Sequence, residues 1–97
     1  MIELLIKYLL GHFLADFPLQ GQYLAETKGK DNISMFAHCM IYAGVISLLV
    51  GFQFWVFCVL FISHWLIDRY KCNGWISLLL DQCFHIIIIL IIFLISL

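Results

Sequence analysis

Apolar residues run along this chain in four blocks, separated by three polar breaks. The first block covers residues 2–17 and stops where Pro18 follows, because a proline pushes the residue before it out of helical geometry. The polar stretch 20–32 carries Gln22, Glu26, Lys28, Lys30 and Asp31, and residues 22–28 within it predict a short helix lying along an interface. Asp31 or Asn32 offers an N-cap to the second block, 33–50. Residues 51–53 leave room only for a tight turn, so the third block, 54–70, is expected to return antiparallel to the second. A break at 71–74 precedes the fourth block, 75–97, which at about 1.5 Å per residue is long enough for a hydrocarbon layer roughly 30 Å thick. The other three blocks lie near the lower length limit for a span.

Composition turns these helices into a membrane expectation. The chain has 97 residues, 65% hydrophobic and 11% charged, with a mean hydropathy of +1.09. A soluble domain so short could not hide that much apolar surface from water. The expected fold is all-α: one integral membrane domain over residues 1–97, a bundle of four transmembrane helices. A net charge of −1 without a basic stripe gives nucleic acid nothing to bind. Glu3, His12 and Asp16 interrupt the first block, which is therefore expected to be retained rather than cleaved as a signal peptide. Lys28, Lys30, Arg69 and Lys71 flank the first and third breaks, against Lys7 alone on the other side. The excess places those breaks in the cytoplasm and both termini outside, with Trp55, Trp65 and Trp75 as candidate interface anchors. Cys39, Cys58, Cys72 and Cys83 show no paired spacing and read as packing residues rather than disulfides. Gly11 and Gly44 are expected to mark close helix contacts, and the phenylalanine-rich run 52–61 to face lipid.

Against that background the few buried ionisable groups stand out. The first block contains His12 and Asp16, the second His38, the third His64 and Asp68, and the fourth Asp81 and His85. Three of these sets are i,i+4 pairs, a spacing that turns a helix by about 400° and stacks both side chains on one face about 6 Å apart. All seven fall toward the predicted cytoplasmic end of their blocks. A charge at mid-membrane costs about 2.5–3.5 kcal/mol, so seven such residues in one layer are expected to converge on one another. The order His12, Asp16, a lysine, His38 is echoed by His64, Asp68, Lys71, His85, which suggests two duplicated helical hairpins about an axis along the membrane normal.

Four imidazoles and three carboxylates suit a divalent metal, zinc first with manganese or iron as alternatives. His12, Asp16, His38, His64, Asp68, Asp81 and His85 are the candidate ligands, for one or two ions. An ion would activate water, and a carboxylate left unligated among Asp16, Asp68 and Asp81 would act as catalytic base. The competing account has the same residues hydrogen-bonded in His–Asp pairs that lock helix packing, with no ion. A non-catalytic metal- or proton-handling bundle, or an accessory subunit, would follow from it. Lys28, Lys30, Arg69 and Lys71 could hold a lipid phosphate, or serve topology alone. Ser34, Tyr42 and Ser77 are expected to add hydrogen bonds inside the bundle.

The string from Gly11 to Gln20, with Lys28 and His38, then His64 to Lys71 and Asp81 to His85, resembles a family of small bacterial and phage membrane proteins known as domain of unknown function 3307. The resemblance spans nearly the whole chain. It implies a four-helix membrane bundle; the expected location is a bacterial inner membrane, multi-pass and surrounded by lipid, and the small size leaves room for a homo-oligomer or a larger membrane partner. The resemblance places Gln20, Lys28 and Lys71 near the mouth of the site. The H-x-x-x-D pairs are also similar to those of membrane-bound metal-dependent hydrolases, which would imply hydrolysis of a lipid or phosphorylated substrate at the cytoplasmic face.

Overall fold

The computed structural model describes residues 1–97, and the helices begin and end where local chemistry dictates. Helix α1 (Ile2–Asp16) stops just before Phe17 and Pro18. Helix α2 (Gly21–Thr27) occupies the polar stretch. Asp31 caps α3 (Asn32–Val50), its carboxylate accepting from the Ile33 amide at 3.0 Å and from Ser34 Oγ at 3.3 Å. Gly51 ends α3 at φ +94°, a backbone that glycine adopts without strain, and α4 (Phe54–Cys72) returns antiparallel. Gly74 at φ +78° makes the next turn. The fourth block then starts later than its hydropathy suggests: α5 is Leu78–Ser96, because the Ser77 hydroxyl accepts from the Leu80 amide at 3.1 Å and caps the helix there. Ser77 is thus a cap and not the interior hydrogen-bonding residue expected of it.

The molecule is all-α, with five helices and no strand. Helices α1, α3, α4 and α5 form a closed ring in which α1 packs on α3 and α5, and α4 packs on the same two; α2 lies against α3. The diagonal partners meet only through side chains on the axis. The extents, 37 × 22 × 21 Å, match helices of this length standing side by side. Helices α3 and α5 are long and apolar enough to cross a membrane. Helix α1, with 15 residues, is shorter than that, and α4 carries Asp68, Arg69 and Lys71 in its last turns.

Ionisable residues share the interior with apolar ones, while many large apolar side chains lie on the outside. His12, Asp16, Lys28, Ser34, His38, Ser47, His64, Asp68, Asp81 and His85 are buried, while Ile6, Phe13, Leu48, Phe54, Ile62, Leu66, Leu79 and Leu94 are exposed. Toward one end of the ring the interior is apolar, built on Ile46, Val56, Leu60, Ile89, Ile92 and Phe93; toward the other it is ionisable. Gly11 is a close contact as expected, since a Cβ there would lie 2.8 Å from Ile46 Cγ1 and 3.1 Å from Ile46 Cα. Gly44 is not: a Cβ there would meet nothing within 4 Å. The four cysteines are free, and only Cys39 is buried.

Candidate metal centre

Asp16 is the last residue of α1, His38 lies in the second turn of α3, His64 and Asp68 are one turn apart near the end of α4, and Asp81 and His85 open α5. Helical spacing points each pair inward, and the ring brings them into one buried layer. All seven residues predicted from the sequence are buried, none more than 4% exposed.

Three donors from three helices meet near the axis. His38 Nε2 and His64 Nε2 lie 2.7 Å apart, and Asp16 Oδ1 lies 3.4 Å from the first and 3.5 Å from the second. Donors about 2.0–2.2 Å from a tetrahedral ion stand roughly 3.3–3.6 Å from one another. The two contacts of Asp16 already have that spacing, and the imidazoles need to part by only a fraction of an ångström. Neither His38 Nδ1 nor His64 Nδ1 has a hydrogen-bond partner. The ring of Tyr42 stacks on His64, with centroids 3.8 Å apart, and holds its plane.

A second group adjoins the first. Asp81 Oδ1 and His85 Nε2 face each other at 3.3 Å, and with Asp16 they form another set of donors within 4.8 Å of one another. The two donor sets, Asp16–His38–His64 and Asp16–Asp81–His85, share one carboxylate. Both are nitrogen-and-oxygen sets that fit zinc, manganese or iron.

His12 and Asp68 stand beside these sets rather than in them. His12 has both nitrogens engaged, Nδ1 with the Tyr42 hydroxyl at 2.7 Å and Nε2 with Gln82 Oε1 at 2.8 Å. Because the Gln82 carbonyl can only accept, His12 Nε2 donates to it and Nδ1 accepts from Tyr42 O–H. The Gln82 amide nitrogen in turn donates to Asp16 Oδ2 at 2.8 Å and Asp81 Oδ2 at 3.1 Å. A chain of oriented hydrogen bonds thus runs from Tyr42 through His12 and Gln82 to two carboxylates. His12 and His64 are the matching members of the apparent duplication, yet one is fully hydrogen-bonded and the other faces the cluster.

Asp68 Oδ2 lies 3.3 Å from His38 Nε2, but Lys28 Nζ approaches the same oxygen to 2.7 Å and Lys71 Nζ lies 3.2 Å from Oδ1. Lys28 is only 2% exposed and also donates to Gln20 Oε1, so it belongs to the layer rather than to the solvated rim. Lys71 lies past the predicted span that ends at residue 70. Arg69 points elsewhere, donating to the Gly29 carbonyl at 3.2 Å and to Asn32 Oδ1 at 2.7 Å, and so fastens the corner that carries Lys28. Lys30 is exposed.

One member of the layer, Gln82, is not identified from the sequence, and a second, Lys28, is identified without its partner. Gln82 sits about 100° around α5 from Asp81, off the face that the i,i+4 spacing selects. Lys28 is expected near the mouth of the site, but its burial against Asp68 is not, because the topology rule already explains its placement among the other lysines. Comparison with curated proteins and with solved structures gives no match to this chain. A family model described as a protein of unknown function, DUF3307, matches residues 4–97, and the chain belongs to that family.

Proposed function

We propose that this chain is a multi-pass membrane protein of four spanning helices that binds a divalent metal at its cytoplasmic end and uses it to hydrolyse a lipid-borne or phosphorylated substrate there. The distribution of side chains supports the membrane reading: ionisable groups are enclosed while leucine, isoleucine and phenylalanine face outward. In that setting α1 and α4 span as well, their polar ends meeting at the cytoplasmic interface of a bacterial inner membrane.

The observation that carries the metal reading is the convergence of Asp16 Oδ1, His38 Nε2 and His64 Nε2 from three helices at ligand spacing. A bound ion lowers the pKa of its water toward neutrality and polarises a phosphoryl or carbonyl oxygen. This chain's own residues supply the rest. Lys71, partly exposed, places an ammonium group at the mouth, where it fits a phosphate; Lys28 holds Asp68 from inside the layer, and Asp68 lies within reach of a proton released near His38. Gln82 and His12 fix the orientation of Asp16.

The test is elemental analysis of the protein purified in detergent, followed by phosphate release from phosphatidic acid vesicles. About one ion or more per chain, lost in His64→Ala, is the expected result. Metal well below one per chain and unchanged in the variant would falsify the site and the hydrolase together. One observation favours a second, non-catalytic reading: the Tyr42–His12–Gln82 chain is complete without any ion. On that reading the variants lose stability while the parent carries no metal.

A further inference from the structure

We propose that the layer holds two ions, with the Asp16 carboxylate shared between them. The inference rests on the metal reading above and adds the second ion, held by Asp81 and His85.

Asp16 is the one residue common to both donor sets. The members of the second set that the first does not use are Asp81, fully buried, and His85, 2% exposed. Asp81 Oδ1 and His85 Nε2 point at each other across 3.3 Å, and neither makes a hydrogen bond. A buried carboxylate oxygen and a buried imidazole nitrogen are rarely left without partners. Nothing in the chain fills the role, whereas a cation between them satisfies both at once.

The hydrogen bonds beside the pair leave it free for this. Gln82 Nε2 donates to Asp16 Oδ2 and to Asp81 Oδ2, which sets the two carboxylates side by side and leaves Asp81 Oδ1 turned toward His85. That is the arrangement of an outer amide orienting ligands. The imidazoles of His64 and His85, one from each set, stack with centroids 4.1 Å apart at an interplanar angle of 23°. Two-ion centres in hydrolytic sites have their ions roughly 3.5–4 Å apart. The stacked rings set the two donor groups side by side, with the Asp16 carboxylate common to both.

The arrangement also selects a substrate class. Lys28 and Lys71 neutralise Asp68, so only Asp16 and Asp81 offset the charge of two dications. The centre retains positive charge, which fits a phosphoryl group better than a neutral ester.

Manganese alone is the probe. The detergent-purified protein is stripped with chelator, reloaded with Mn²⁺ and freed of excess. About two manganese ions per chain with a spin-coupled paramagnetic resonance spectrum are expected in the parent, falling by half to an uncoupled six-line signal in His85→Ala. Asp81→Asn, which keeps the side-chain shape, is expected to do the same and covers the case in which His85→Ala does not fold. One uncoupled manganese in the parent, unchanged by Asp81→Asn and lost in His64→Ala, would overturn the second ion and leave the single-metal reading standing. No manganese in the parent would overturn both.

Discussion

Two lysines from different elements close on Asp68, Lys28 from the α2–α3 connection and Lys71 from the end of α4. Lys71 is partly exposed, but Lys28 is not, so the Lys28–Asp68 pair is a buried ion pair whose members depend on each other. Removing one partner of such a pair costs about 3–5 kcal/mol, because the other is left as an uncompensated buried charge. Asp68→Ala is therefore expected to destabilise the bundle by that amount in a reversible detergent-unfolding titration. Adding Lys28→Met to Asp68→Ala is expected to recover part of the loss. A double variant no more stable than the single one would show that the two groups are not coupled. The i,i+4 spacing in the sequence identifies Asp68 as facing inward with His64, but not its lysine partners, since those come from another connection and from the flank of α4.

At the scale of elements, the fit of α1 against α3 turns on one missing side chain. Gly11 lets Ile46 approach so closely that a methyl group in its place would lie 3.1 Å from the Ile46 backbone. Gly11→Ala forces the helices apart, and overpacking of this kind costs about 1–3 kcal/mol. Gly44 faces open space, so Gly44→Ala is expected to be neutral or to stabilise by up to about 1 kcal/mol through helix propensity. Unfolding midpoints of the two variants, measured side by side, check the contrast. From sequence the two glycines are indistinguishable, because each sits inside an apolar helical block and only the neighbour it meets sets them apart. The caps are the reverse case. Asp31 satisfies the amide two residues on by local geometry alone, which is why a cap at Asp31 or Asn32 can be read in advance.

For the molecule as a whole, the proposed membrane setting turns on which end of the ring would face the cytoplasm. Cys72 marks it: the thiol is exposed at the end that carries Lys28, Arg69 and Lys71. In a variant with Cys39, Cys58 and Cys83 replaced by alanine, a membrane-impermeant maleimide is expected to label Cys72 in inverted vesicles and not in intact cells. Labelling should accelerate as pH rises, because the thiolate is the form that reacts with the maleimide. Labelling in intact cells would reverse the orientation and put the polar layer outside.

The all-α class, the helix breaks at Pro18 and Gly51, the Asp31 cap and the inward faces of the three His/Asp pairs were determined by the sequence itself, because each depends on contacts within about one helical turn. The late start of α5 is equally local, since it follows from Ser77, though hydropathy outvoted that signal. Tertiary structure alone decided which of the seven ionisable residues meet. It placed Asp16 between two sets, diverted His12 to Tyr42 and Gln82, and drew Lys28 in onto Asp68. Those partnerships cross the ring between helices far apart in the chain. Helical periodicity says which way a side chain points, but only the rotation and depth of each helix against its neighbours say what it finds there.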